Sequence, residues 1–158
     1  GLIAAFLKLK EKNKNLKLML TGSDSYFWQR IKKSHREEGI IYTGFVSDEK
    51  LVALYKNARC LVIPSFEEGF GLPILEAMAC GCPVVSSNSP SLSEVGGDAA
   101  IYFDPNNADD IKEKIEKVIK DPKLRQEMVE KGYNQIKKFS WEKTAKETLR
   151  VLEDLGKL

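Results

Sequence analysis

The part of the sequence that constrains the fold most is residues 60–83, which read CLVIPSFEEGFGLPILEAMACGCP. They begin with a short apolar run that is partly β-branched, which indicates a buried parallel strand. The Ala-, Leu- and Met-rich segment that follows predicts a helix. Pro73 suits its first position because proline has no N–H to leave unpaired there. Gly69 and Gly71 lie in the loop between the two. A strand, a glycine loop and a helix in this order are typical of a parallel α/β sheet.

Two carboxylates flank this predicted helix start. Glu68 lies in the loop, and we expect Glu76 in the first helical turn. Gly69 and Gly71 let the backbone approach a ligand closely, and the helix dipole favours an anion such as phosphate. A carboxylate can accept paired hydrogen bonds from vicinal hydroxyls. The pattern therefore indicates a site for a polyhydroxylated ligand that carries phosphate. The alternative is a capped helix whose carboxylates interact only with the dipole.

The same residues resemble the C-terminal, donor-binding domain of the retaining GT-B glycosyltransferases called group 1, relatives of glycogen and sucrose synthases. The family pattern is Glu, seven residues, Glu, then Ala-Met-Ala-x-Gly-x-Pro-Val-Val. Here Glu68 and Glu76 have that spacing, and residues 77–85 read AMACGCPVV. The resemblance implies a hexosyltransferase of carbohydrate or glycoconjugate biosynthesis. It would use a nucleotide-sugar donor without a metal or another cofactor.

The resemblance also implies roles for single residues. Glu68 is expected to be the catalytic residue that faces the hydroxyls of the donor sugar, and Glu76 is expected to bind the ribose. The residues expected around the donor sugar and diphosphate are Gly22, Gly69, Phe70, Gly71 and Leu72. Those expected around the nucleotide are Val46, Ser47 and Leu51, of which Ser47 is also a good helix N-cap.

Strands and helices alternate along most of the chain. Short apolar runs predict strands near Leu16, Ile40, Cys60, Pro83 and Ala99. Helices are predicted at residues 1–14, 25–38, 48–57, 108–120, 123–138 and 141–155, and a short helical turn at 92–95 follows a break at 88–91. The fold class is therefore α/β, with a doubly wound, Rossmann-like parallel sheet and helices on both faces.

The resembled domain has one more strand, before its first helix. Its glycine-rich turn carries an Arg and a Lys that hold the donor diphosphate. We expect residues 1–158 to form one domain that lacks this strand, which a Rossmann order places at the centre of the sheet. The lysines of the first helix are not expected to replace the two basic residues.

The composition excludes several other classes. The 158 residues are 42% hydrophobic and 30% charged, which is typical of one globular domain. A net charge of +2 indicates no nucleic-acid partner. No apolar run approaches the roughly 20 residues that span a bilayer, and no signal peptide is visible, so we expect a cytoplasmic protein. The three cysteines are expected to be small core residues.

The expected partners are the nucleotide-sugar donor and an N-terminal domain of the same enzyme that binds the acceptor. Peripheral membrane contact is expected only through that other half. This chain alone is expected to bind the donor weakly and to catalyse essentially no transfer. Two alternatives stay open, namely a nucleotide-sugar epimerase of related fold and a module that binds a nucleotide sugar without chemistry.

Overall fold

The computed structural model describes residues 1–23 and 25–156, and the side chain of Phe27 lies outside the description. Within these residues the chain alternates between helices and strands. The helices are α1 Leu2–Lys12, α2 Tyr26–Ser34, α3 Asp48–Asn57, α4 Leu72–Ala79, α5 Pro90–Gly96, α6 Ala108–Lys120, α7 Pro122–Gln135 and α8 Trp141–Leu155. The strands are β1 Leu18–Thr21, β2 Ile40–Gly44, β3 Leu61–Ile63, β4 Val84–Ser87 and β5 Ala100–Phe103.

All strand pairs among the described residues are parallel, but they form two sheets. One sheet has the order β1-β2, and the other has the order β3-β4-β5. In the second sheet Val84 lies beside both Leu61 and Ala100. The α/β class with parallel strands and flanking helices is confirmed. Among the described residues no strand pair joins the two sheets, and a Rossmann order would place the further strand expected above between β1 and β3.

Two hydrophobic clusters cover the two faces of the second sheet. Val84 and Val85 are fully buried neighbours in β4, and their side chains point to opposite faces. Val84 belongs to a cluster with residues of α3, α4 and α5: Tyr55, Ile74, Ala77, Met78, Leu92 and Val95. Val85 belongs to a cluster with residues of α1, β5, α6 and α7: Ala5, Leu9, Phe103, Ile111, Ile115, Val118 and Met128. Helices therefore pack on both faces, as predicted.

Several helices differ from the prediction at their ends, α2 and α5 among them. Helix α2 ends at Ser34 rather than at residue 38 because His35 leaves the helical conformation, with φ −134°. The hydroxyl of Tyr42, in β2, donates to the carbonyl of His35 at 3.0 Å, which stabilises this earlier end. Pro90 was predicted to break the chain, but it is the first residue of α5, where its ring is already suited to helical φ.

The three cysteines are free, and their burial predicts how stability depends on pH. Cys82 is buried, while Cys60 and Cys80 are half-buried. Burial raises the pKa of Cys60 to about 12 and the pKa of Cys82 to about 11. The usual pKa of an unfolded thiol is about 8.5, and both folded-state pKa values exceed it. The two neutral thiols therefore make their full contribution to stability below about pH 8.5. This contribution is lost as pH rises toward 11 to 12.

We therefore expect the folding equilibrium constant to fall as pH rises from 8.5 to 10, by on the order of 10-fold for Cys82 at pH 10. Urea unfolding across this range measures the effect. A Cys60→Ala/Cys82→Ala variant is the control, since it should lose clearly less stability over the same interval. Equal losses in the two proteins would contradict the assignment.

Candidate functional site

The loop between β3 and α4 ends in a glycine that the structure requires. Gly71 is the N-cap residue of α4 and has φ 101° and ψ 40°, in the region that L-residues avoid. A Cβ atom at Gly71 would also lie 2.5 Å from Cδ2 of the buried Leu92. Gly69 differs, because its φ is not positive and no atom lies within 4 Å of a Cβ placed there. Of the two loop glycines, only Gly71 is demanded by conformation and packing.

The helix after this loop begins one residue earlier than predicted. Leu72 is its first residue, so Pro73 occupies the second position. The prediction that Glu76 lies in the first turn is wrong, because Glu76 is the fifth residue of α4. The left-handed conformation of Gly71 turns the chain into the helix at Leu72, which moves Glu76 into the second turn. The two carboxylates therefore stand on either side of the helix start, with a full turn of α4 between Gly71 and Glu76.

Serine hydroxyls hold the loop around Glu68. The Glu68 side chain is exposed, and its Oε1 accepts a hydrogen bond from the hydroxyl of Ser65 at 2.7 Å. The Ser91 hydroxyl, in α5, donates to the backbone carbonyl of Glu68 at 2.8 Å. The Ser87 hydroxyl, at the end of β4, donates to the carbonyl of Ser65. The loop is thus attached to both of the chain segments that follow α4.

Glu76 is linked to helix α3. Its Oε2 accepts a hydrogen bond from the Tyr55 hydroxyl at 3.2 Å. Tyr55 is buried, and burial together with the nearby charge of Glu76 raises the pKa of its phenol. Leu51 lies one helical turn before Tyr55 and packs against the same core cluster. Leu51, which was predicted to contact the nucleotide, therefore lies on the same helix as Tyr55, the hydrogen-bond partner of Glu76.

The remaining predicted residues lie at the ends of β1 and β2. The backbone N–H of Gly22 donates to the carbonyl of Gly44 at 3.2 Å, so the two loops meet there. Val46 and Ser47 follow Gly44 and lead into α3. Ser47 occupies the predicted N-cap position, but its side chain makes no capping hydrogen bond. The neighbouring Ser47 hydroxyl holds the pKa of the Glu49 carboxyl below its usual range.

A cleft adjoins this second group of residues. It has a volume of about 160 Å³ and is lined in part by Gly22, Gly44 and the side chains of Trp28 and Lys32. A Cβ atom at Gly22 would lie 2.7 Å from the Trp28 indole nitrogen, so glycine is needed for this packing. Glu68 and Glu76 do not line this cleft, which lies beside α2.

Apolar side chains next to the start of α4 are partly open to solvent. Phe70 is 45% exposed and Leu72 is 43% exposed. The ring of Phe70 packs edge-on against that of Phe139, with 5.9 Å between the ring centroids. The predicted loop residues thus offer apolar surface beside backbone amides, a combination suited to a ligand with flat or apolar parts.

Sequence reasoning missed several residues that support this site. They are Tyr55, Ser65, Ser87, Ser91 and Phe139. Tyr55 could have been found, since it lies eight residues after Ser47 and therefore shares a helix face with Ser47 and Leu51. The contacts of Ser87 and Ser91 link residues more than 20 positions apart, and no local pattern predicts them.

The described residues contain neither a metal-binding cluster nor a helix that could span a membrane. Within residues 1–23 and 25–156, no three His, Cys, Asp or Glu side chains are grouped so that they could hold a metal ion. The helices described there are also too short or too polar to cross a membrane.

Comparisons with known proteins show the family to which the chain belongs. The sequence model of the family described as Glycosyl transferases group 1 matches residues 1–135. The O-antigen chain mannosyltransferase B of Escherichia coli is 45% identical over 156 residues, which cover 96% of this chain and 41% of that protein. This chain therefore spans less than half the length of that curated relative.

Solved structures match the fold. A sucrose-phosphate synthase from Thermosynechococcus elongatus superposes with a TM-score of 0.79 at 23% identity, over 97% of this chain and 42% of that one. The C-terminal domain of a glycosyl transferase group 1 family protein from Francisella tularensis superposes with a TM-score of 0.71 at 26% identity, over 86% of this chain and 75% of that one. With a family match over residues 1–135 and the fold of a GT-B C-terminal domain, this chain belongs to the group 1 glycosyl transferases.

Proposed function

We propose that this chain is the donor-binding domain of a retaining glycosyltransferase that transfers a hexosyl unit from a nucleoside-diphosphate sugar to an acceptor hydroxyl. The observation that carries the proposal is the position of Glu68 and Glu76 on either side of the start of α4. The 45% identical relative is named a mannosyltransferase, which favours mannose as the hexose.

The chemistry at the start of α4 supports this role. The first amides of a helix have no intrahelical partner, and the dipole favours negative charge there, so the donor diphosphate would bind beside Phe70, Gly71 and Leu72. Glu68, oriented by Ser65, would accept hydrogen bonds from the sugar hydroxyls. Glu76, whose other partner is Tyr55, would accept them from the ribose. Val46, Ser47 and Leu51 would border the nucleotide, and Gly22 its phosphates.

In the reaction, the acceptor oxygen forms a bond to the anomeric carbon while the bond from that carbon to the diphosphate oxygen breaks. The electron pair leaves with the diphosphate, and the acceptor proton passes to an oxygen of that leaving group. Backbone amides stabilise the charge that develops on the diphosphate. The acceptor would bind to an N-terminal domain of the whole enzyme, so this chain alone should bind the donor weakly and transfer essentially nothing.

Calorimetric titration with UDP, GDP and ADP and with their hexose derivatives, GDP-mannose included, tests the proposal. One nucleotide should bind. Glu76→Ala should weaken both the nucleotide and its sugar derivative, whereas Glu68→Ala should weaken only the sugar derivative. Each loss should be about 1.5–3 kcal/mol, roughly one to two decades in affinity, because one charged hydrogen-bond acceptor is removed.

Glu67→Ala is the matched control, since it removes a neighbouring exposed carboxylate and should leave every affinity unchanged. Repeating the titration in EDTA checks the expectation that donor binding needs no metal. Equal effects of Glu67→Ala and Glu68→Ala, or no binding of any nucleotide at millimolar concentration, would contradict the proposed donor site.

A further inference from the structure

We propose that Ser65 is a positioning residue, which holds the Glu68 carboxylate in the orientation that accepts the donor sugar, with Ser87 and Ser91 anchoring the loop that carries both. This inference rests on the proposed function, because it assigns a role in the same site. It names a specificity-determining hydrogen bond that the residue spacing alone does not indicate.

The first support is that, within residues 1–23 and 25–156, Ser65 is the only hydrogen-bond partner of the Glu68 side chain. It lies in an irregular loop, and its side chain is exposed. An exposed glutamate has many rotamers in water, and ordering them when a ligand binds lowers the affinity. The Ser65 hydroxyl, at 2.7 Å from Oε1, restricts these rotamers in the folded protein before the ligand arrives.

The second support is that the loop itself is held at two points. Ser87 is fully buried at the end of β4, and its hydroxyl binds the carbonyl of Ser65. Ser91, in the first turn of α5, binds the carbonyl of Glu68 at 2.8 Å. Ser65, the donor, is therefore attached to β4, and Glu68, the acceptor, is attached to α5. Ser65 can act as a positioned donor because its own backbone carbonyl is hydrogen-bonded to β4.

The third support is that the bond leaves Glu68 able to bind a ligand. A carboxylate has two oxygens and about four acceptor positions. Ser65 uses one position on Oε1, so the others can accept hydrogen bonds from two neighbouring hydroxyls of a sugar. A bond from a cation would instead compete with the sugar and neutralise the acceptor. A neutral hydroxyl orients the carboxylate without removing its charge.

The test uses the chain with Ser65→Ala, Ser65→Thr, Glu68→Ala and the Ser65→Ala/Glu68→Ala double variant. The probes are whichever of the pairs GDP and GDP-mannose, UDP and UDP-glucose, or ADP and ADP-glucose binds the unmodified chain. Ser65→Ala should weaken the nucleotide sugar by about 10-fold and leave the bare nucleotide unchanged. Ser65→Thr keeps a hydroxyl and should restore most of the affinity. In the Glu68→Ala background, Ser65→Ala should have no further effect.

Ser34→Ala, which removes a serine hydroxyl bonded to the Arg30 carbonyl within α2, is the control and should change neither affinity. Unfolding curves show that each variant is folded at the titration temperature. An unchanged nucleotide-sugar affinity in Ser65→Ala, an equal loss for the bare nucleotide, or a loss that persists without Glu68 would overturn this inference alone. Failure of the unmodified chain to bind any of the three pairs would overturn the proposed function and this inference with it.

Discussion

Replacing Gly71 by alanine is expected to lower the free energy of unfolding by about 2–4 kcal/mol, because two penalties coincide at this residue. The first is conformational, since φ is 101° at the N-cap of α4. The second is steric, since the new Cβ would lie 2.5 Å from Cδ2 of Leu92. Leu92 is fully buried in the cluster formed by α3, α4 and α5, so it has little room to withdraw. Urea unfolding measures the change.

Gly69→Ala is the matched control for this variant. It adds the same methyl group to the same loop, but at a residue with open space around it and without a positive φ. Its effect should stay within about 0.5 kcal/mol. A similar loss in both variants would mean that alanine disturbs the loop in general and would contradict the role given to Gly71.

The steric part can be separated from the conformational part through Leu92. Leu92→Ala alone should cost about 2–5 kcal/mol because it leaves a cavity in the core. It also removes Cδ2 of Leu92, the atom with which the Cβ of Gly71→Ala would clash. The double variant should therefore be less destabilised than the sum of the two single variants. Strict additivity would show that the backbone conformation of Gly71 accounts for the whole effect.

Helix α6 shows what the sequence could predict. Asn107 and the acidic residues after it form a local cap, and the Asn107 side chain accepts hydrogen bonds from the amides of Asp109 and Asp110. All of this information lies within four consecutive residues, and the predicted range of 108–120 agrees with the structure. The β3–loop–α4 unit was predictable for the same reason, since its apolar run, glycines and helix formers are adjacent.

The errors arose where distant residues decide the structure. Helix α2 ends early at a carbonyl that Tyr42 binds from the neighbouring strand. The first turn of α4 depends on the backbone of Gly71 and its fit under Leu92, which is 21 residues further along the chain. The same distinction between local and distant residues applies to the candidate site. Its two glutamates follow a local pattern, whereas the partners Tyr55 and Ser91 reach them from other elements.

Phe103→Ala is expected to have the largest effect on stability, about 3–5 kcal/mol out of a total of about 5–15 kcal/mol for a typical domain. Phe103 ends β5 and is 1% exposed, and it belongs to the hydrophobic cluster that contains Val85 and residues of α1 and α6. Removing its ring leaves a cavity in this cluster. Phe45→Ala is the matched control, because the Phe45 ring is 85% exposed and its loss should change the unfolding midpoint in urea little.

The same variant separates stability from binding. The backbone carbonyl of Phe103, which alanine retains, accepts the N–H of Asn88 at 3.0 Å and so holds the segment that leads to Ser91 and the Glu68 loop. Because this contact does not depend on the ring, Phe103→Ala should keep the affinity for the bound nucleotide sugar at temperatures where it is folded. A small change in urea stability would contradict the core assignment of Phe103. Lost affinity in a folded variant would mean that the ring, and not only the backbone, supports the site.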